Sequence, residues 1–147
     1  PVEGVTGNAM DNDILAILAK YGIYPGKVQL WGTGKPLREF LWSEEMADAS
    51  VYIMEHIDFP DVRPEGNEVR NTHINIGTGK ELSIKEVATL IQEKIGFEGE
   101  LAFDASKPDG TLRKLTDVSK LHALGWHHKI EIAEGVELLY NWYLDKQ

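Results

Sequence analysis

Apolar side chains recur every three to four residues in several stretches of the chain, a spacing typical of amphipathic helices. The stretches are 11–21, 43–57, 83–95 and 131–145. Polar residues suited to bind the first free N–H groups stand at their starts, and Ser83 with Glu86 forms a capping box. Asp117 is predicted to cap a shorter helix that ends at Gly125. The pattern therefore predicts about five helices.

Short apolar runs between these helices predict strands. The predicted strands are residues 28–31, 38–42, 73–76 and 100–103. Residues 58–72, which contain Pro60, Pro64 and Gly66, and residues 104–111 predict loops. Short strands interleaved with helices indicate an α/β (α+β) domain.

Length and charge exclude several classes of protein. The 147 residues include 42% hydrophobic and 27% charged residues, which indicates one globular domain. A net charge of −9 opposes binding to nucleic acid or to an anionic membrane. No leader or bilayer-spanning apolar run is apparent and cysteine is absent, so a cytoplasmic location is expected. One basic segment remains, which is either a solvated edge or a site for a small anion: Lys107, Arg113, Lys114 and Lys120.

Several familiar catalytic and cofactor motifs are missing. Gly-Thr-Gly-Lys occurs at 32–35 and 77–80, but Pro36 and Glu81 follow where a phosphate loop needs Ser or Thr, so two tight turns are predicted. Leu82 stands where a dinucleotide fingerprint needs its third glycine, and we expect no nicotinamide cofactor to bind this chain by itself. The five histidines lack metal-ligand spacing, and no nucleophile elbow occurs, so no metal is expected.

A few residues are suited to hold a phosphorylated sugar. The guanidinium of Arg38 matches phosphate oxygens, the indole of Trp31 offers a flat face, and Asp109 can accept bonds from hydroxyl groups. Each has an ordinary structural alternative. Trp31 fits a core, Arg38 fits an ion pair with a neighbouring glutamate, and Asp109 fits a turn before glycine.

Four segments carry a resemblance to a known family. They are Trp31-Gly32-Thr33-Gly34 with Arg38-Glu39-Phe40-Leu41, His73-Ile74-Asn75-Ile76-Gly77-Thr78-Gly79, Phe103-Asp104-Ala105-Ser106-Lys107-Pro108-Asp109-Gly110-Thr111, and Leu124-Gly125-Trp126. Together they resemble the GDP-L-fucose synthases of the extended short-chain dehydrogenase/reductase superfamily. The match runs over residues 28–144, so we expect residues 28–147 to be a substrate-binding domain. Residues 1–27 are expected to be a separate segment with a short helix, inserted relative to the family pattern.

The resemblance implies a function for the whole protein. Such enzymes convert GDP-4-keto-6-deoxy-D-mannose to GDP-L-fucose by epimerising C3 and C5 and reducing C4 with NADPH. It implies that Trp31, Arg38, Asp109 and Lys114 contact the substrate, with Arg38 on the diphosphate. The catalytic residues and the NADPH site would belong to an amino-terminal nucleotide-binding domain, which leaves no catalytic residue in this chain and makes it inactive alone. The whole protein is expected to be a homodimer.

Two other functions stay open at this stage. The chain could serve another nucleotide-sugar epimerase or dehydratase, which a preference for UDP-sugars would reveal. It could also be a free-standing interaction module without enzymatic activity.

Overall fold

The computed structural model describes residues 10–66 and 69–146, which form a mixed α/β fold as predicted. Within them there are six helices: α1 (Asp11–Lys20), α2 (Ser43–His56), α3 (Phe59–Val62), α4 (Ile84–Ile95), α5 (Ser119–Ala123) and α6 (Ile132–Leu144). Six short strands accompany them: β1 (Ile23–Tyr24), β2 (Lys27–Trp31), β3 (Leu37–Arg38), β4 (Leu82–Ser83), β5 (Glu100–Asp104) and β6 (Arg113–Lys114). None of the described helices combines the length and apolar character that crossing a bilayer requires.

The predicted cap is confirmed at α4, whereas those predicted for α1, α2 and α5 are wrong: Met10, Trp42 and Val118 stand at the N-cap positions and no side chain there accepts a backbone N–H. Ser83 accepts a hydrogen bond from the Glu86 N–H at 3.1 Å, and Glu86 Oε2 accepts one from the Ser83 N–H at 2.7 Å. Gly96 ends the helix in the left-handed conformation, with φ of 69°. Capping residues and a stop glycine were therefore sufficient to place this helix.

Three predictions of secondary structure need correction. Residues 73–76 are not in a strand, because Ile74 and Ile76 pack on a hydrophobic core instead of pairing with a strand of the described chain. Of the extended run predicted at 38–42, only Arg38 lies in a strand, β3, although the backbone of Trp42 is extended as predicted. The loop predicted at 58–72 contains α3, which has a proline in its first turn and a bond from the Asp58 N–H to Asp61. This extra helix raises the count from five to six. Residues 67 and 68 of that loop lie outside the described residues.

Two three-stranded sheets hold the strands. In the first, with strand order β1-β2-β5, β2 and β5 run parallel over five residue pairs that end at Trp31 and Asp104. In the second, with order β4-β3-β6, β3 and β6 run parallel and pair Arg38 with Lys114.

Residue contacts divide the chain into two compact units. The first comprises the described part of Pro1–Pro36 together with Ser83–Leu112, and the second comprises Leu37–Leu82 with the described part of Arg113–Gln147. The second unit has a core of Ala49, Leu121 and Trp126, against which half-buried side chains such as Leu41 and Ile53 pack. The division into residues 1–27 and 28–147 stays a prediction, and residues 1–9 lie outside the described residues.

Candidate functional site

Trp31 lies at the end of β2 in the first unit and is 73% exposed. The alternative that it belongs to a core is therefore wrong. The Lys107 Nζ lies 5.6 Å from the centroid of its ring, within the range of a cation–π contact. Exposed aromatic surface at the end of a strand, with a cation beside it, is suited to contact a planar or phosphorylated ligand.

Asp109 binds the turn that follows Trp31, which we call the first turn (residues 32–35). Its Oδ1 accepts a bond from the Thr33 N–H at 2.6 Å, and its Oδ2 accepts one from the Thr33 hydroxyl at 2.7 Å. These bonds lower the pKa of Asp109 below its ordinary value. A side chain on Gly32 would place its Cβ 2.3 Å from Asp109 Oδ1, so the glycine is required. Asp109 therefore serves as a turn residue, and its remaining lone pairs can still accept bonds from a ligand.

Arg38 and Lys114, which we call the cation pair, are register partners on β3 and β6 in the second unit. Side chains of register partners lie next to each other on one face of a sheet. Arg38 Nη1 donates to the carbonyl of Leu37 at 2.6 Å, and neither cation forms an ion pair with a residue that the structure describes. The alternative of an ion pair between Arg38 and a neighbouring glutamate is therefore wrong.

A small cleft of about 190 Å³ opens beside Arg38 in the second unit. Phe40 and Ile132 provide apolar wall, whereas Lys80 and Glu131 form an ion pair at its edge. The cleft has room for only a part of a sugar nucleotide. Its single unpaired cation is Arg38, counted among the described residues that line it.

The sequence reasoning missed Glu39. Its carboxylate accepts bonds from the N–H groups of Thr78 at 2.7 Å, Gly79 at 2.6 Å and Thr116 at 3.1 Å. Burial raises the pKa of Glu39, but the hydrogen bonds from Thr116, Gly79 and Thr78 outweigh it and the net pKa is lowered. No local signal in the sequence indicates this role of Glu39, because the residues that it binds lie 39 to 77 positions away.

Three of the histidines have close partners in the second unit. His122 and His127 stack with their ring centroids 4.2 Å apart, and His128 Nε2 lies 3.4 Å from Glu131. Among the described residues there is no group of three or more His, Asp or Glu side chains that could hold a metal ion.

Of the four predicted site residues, Trp31 and Asp109 belong to the first unit, and Arg38 and Lys114 belong to the second. The structure brings the members of each pair together, through the first turn in one case and through strand register in the other. That all four contact one ligand stays a prediction.

Comparison with known sequences identifies the family. The family model described as "NAD dependent epimerase/dehydratase family" matches residues 2–77. The GDP-L-fucose synthase of Escherichia coli (strain K12) is 46% identical over 120 residues, which are 82% of this chain and 37% of that protein. GDP-L-fucose synthase 1 of Arabidopsis thaliana is 48% identical over 118 residues, covering 80% of this chain and 33% of the relative. The chain thus spans about a third of the length of these relatives.

Solved structures give the same result. A GDP-6-OMe-4-keto-L-xylo-heptose reductase from C. jejuni superposes with a TM-score of 0.87 at 46% identity, over 92% of this chain and 39% of that one. A GDP-L-fucose synthetase from Naegleria fowleri bound to NADP has a TM-score of 0.66 at 26% identity, over 82% of this chain and 35% of that one. The predicted fold class, part of an extended short-chain dehydrogenase/reductase, and the resemblance to GDP-L-fucose synthases are confirmed. The chain belongs to the NAD dependent epimerase/dehydratase family.

Proposed function

We propose that this chain is the sugar-nucleotide-binding part of a longer GDP-sugar epimerase/reductase. The observation that carries the proposal is the cation pair: two positive side chains adjacent in a sheet, with no carboxylate partner among the described residues. Like charges placed side by side repel each other, and a diphosphate relieves that repulsion. The relatives are named for reactions of GDP-sugars, which supports GDP as the nucleotide that contains this diphosphate.

The magnitude of the contact fits a role in substrate binding. A hydrogen bond to a charged group contributes about 1.5–3 kcal/mol, and an arginine can form two such bonds with a phosphate. Loss of Arg38 would therefore weaken substrate binding by at least tenfold, since about 1.4 kcal/mol corresponds to a factor of ten. Trp31 and Asp109 are proposed to contact the nucleotide or the sugar.

The specific reaction we favour is that of a GDP-L-fucose synthase. GDP-4-keto-6-deoxy-D-mannose would be epimerised at C3 and C5, and NADPH would reduce C4. This chain would hold the substrate, whereas an amino-terminal nucleotide-binding domain of the same protein would bind NADPH and supply the catalytic groups. We therefore propose that the chain alone binds weakly and does not turn over, and that the whole protein is a homodimer.

A second candidate is reduction of a different GDP-sugar. The heptose reductase from C. jejuni is as similar in sequence as the E. coli fucose synthase, at 46% identity. The cation pair would bind the diphosphate in either case. The sugar therefore has to be identified by experiment.

Titration calorimetry on the full-length protein tests the proposal. We expect binding of GDP-sugars in preference to UDP- and dTDP-sugars, and a loss of at least tenfold in affinity for Arg38→Ala. Arg63→Ala removes the same charge from an exposed loop and should leave affinity unchanged. A preference for UDP-sugars would contradict the guanine assignment, and unchanged affinity in Arg38→Ala would contradict the role of Arg38.

A further inference from the structure

Glu39 joins two distant parts of the second unit to the strand that carries Arg38. Its Oε1 accepts the N–H groups of Thr78 and Gly79, in the turn formed by residues 77–80, which we call the second turn. Its Oε2 accepts the N–H of Thr116, two residues beyond the end of β6. A single carboxylate thus binds the second turn and the β6 segment at once.

The strands of the cation pair need such a constraint. β3 and β6 pair through only two residues each, so their ladder supplies few hydrogen bonds. The two cations repel each other across that short ladder, which favours separation of the strands. Glu39 follows Arg38 directly in the chain and bonds to the segment that follows Lys114, so it fixes the two strands next to the register pair of Arg38 and Lys114.

We propose that Glu39 is a positioning residue that holds Arg38 and Lys114 at the spacing needed to bind a diphosphate. The inference rests on the proposed function for the nature of the ligand. Glu39 itself does not touch the ligand. It acts through the backbone N–H groups of Thr78, Gly79 and Thr116, which its two oxygens share.

Both oxygens of Glu39 have to be acceptors for this role. Glutamine has the same shape, but its amide group places an NH₂ donor at one of the two positions. That donor would face an N–H of Thr116 or of the second turn, and one of the two segments would lose its partner. Glu39→Gln therefore releases one segment without changing the volume of the side chain.

The test measures binding of inorganic pyrophosphate to the full-length protein by NMR titration. We expect Glu39→Gln and Arg38→Ala each to weaken binding by about tenfold, and the loss in the double variant to be smaller than the product of the two single losses, because Arg38 is one of the two cations that Glu39 positions. Glu55→Gln, which makes the same change at an exposed site of α2, should bind as the unchanged protein does. Unchanged binding in Glu39→Gln, or a double variant whose loss is the product of the two single losses, would overturn the proposal.

A second measurement needs no ligand. Amide hydrogen exchange at either Thr116 or Gly79, whichever faces the new NH₂ group, should be at least about tenfold faster in Glu39→Gln than in Glu55→Gln, because one segment loses its acceptor. Equal exchange in the two variants would overturn the inference. If Glu39→Gln does not fold, Glu39→Asp keeps the charge, is one methylene too short to reach both segments, and should show the same pattern. A protein that binds pyrophosphate through Arg38 but prefers UDP-sugars would refute the proposed function and leave the role of Glu39 intact.

Discussion

The substitution Gly77→Ala tests the packing around Glu39 most directly. An added Cβ at position 77 would lie 2.5 Å from Glu39 Oε1 and 2.9 Å from its Cδ, where ordinary contact begins near 3.4 Å. The far end of a glutamate can usually move away at little cost. Here it cannot, because three backbone N–H groups hold the carboxylate. Alanine at 77 therefore has to break hydrogen bonds to make room.

The cost follows from the distances. Relief of the contact needs a shift of roughly 1 Å, which stretches the bonds from Thr78 and Gly79 beyond hydrogen-bond range. Two bonds to a charged acceptor are worth about 3–6 kcal/mol together, but Gly79 is exposed and water can replace part of its loss. We expect Gly77→Ala to lower the free energy of unfolding by about 2–3 kcal/mol.

Urea unfolding followed by circular dichroism measures this cost, and Gly135→Ala provides a matched control. Gly135 lies inside α6, where an added Cβ meets Trp42 at an ordinary 3.4 Å, so alanine should stabilise the protein by about 0.5–1 kcal/mol. In a Glu39→Ala background the collision is absent, and Gly77→Ala should cost less than about 1 kcal/mol. Equal costs in the two backgrounds would refute the reasoning.

Three further substitutions test other parts of the fold. Leu121→Ala removes a side chain with no exposed surface and should cost about 2–5 kcal/mol in urea unfolding, whereas Leu112→Ala, at a 65% exposed site, should cost less than about 1 kcal/mol. Ser83→Ala removes the N-cap of α4 and should cost about 1 kcal/mol in the same assay; no change would show that the cap is dispensable. Burial, and then the charges of His127 and His128, lower the pKa of His122. Its neutral form is therefore favoured by folding, so stability should fall as the pH drops through 6.5, and thermal unfolding between pH 7.5 and 5.5 should show a weaker pH dependence in His122→Gln.

Local signals in the sequence were sufficient for the longer helices. The capping box at Ser83, the stop at Gly96 and the apolar spacing of α2 and α6 each depend on residues within a few positions of one another. The prediction of a strand at 73–76 was wrong because a strand requires a partner strand, which a local pattern does not reveal. The alternation of polar and apolar residues there equally suits an extended segment packed on a core. β1, β4 and β6 are two residues long and have no periodicity to detect.

The candidate site was only partly predictable for the same reason. Residue chemistry and the family resemblance selected Trp31, Arg38, Asp109 and Lys114. The pairing of Arg38 with Lys114 depends on strand register over 76 residues of chain, which no local pattern encodes. Glu39 appeared to be an ordinary charged neighbour of Arg38, because its partners lie 39 to 77 residues away.

The two Gly-Thr-Gly-Lys segments show why a loop of this composition need not bind phosphate. In both turns the threonine N–H donates to a distant carboxylate, from Thr33 to Asp109 at 2.6 Å and from Thr78 to Glu39 at 2.7 Å. In both, the first glycine leaves room for that carboxylate, and the lysine N–H donates to the threonine hydroxyl, at 3.3 Å in the first turn and 3.2 Å in the second.

Backbone N–H groups in such turns are suited to bind anions. Here the protein supplies each anion from its own chain, so the threonine amide that a phosphate would need is already occupied. Internal carboxylates thereby hold both turns in place, and under the proposed function a ligand phosphate would instead bind the side chains of Arg38 and Lys114. It follows that removal of either internal carboxylate should loosen its own turn and should not create a phosphate loop, since Pro36 and Glu81 stand after the two lysines where Ser or Thr is required.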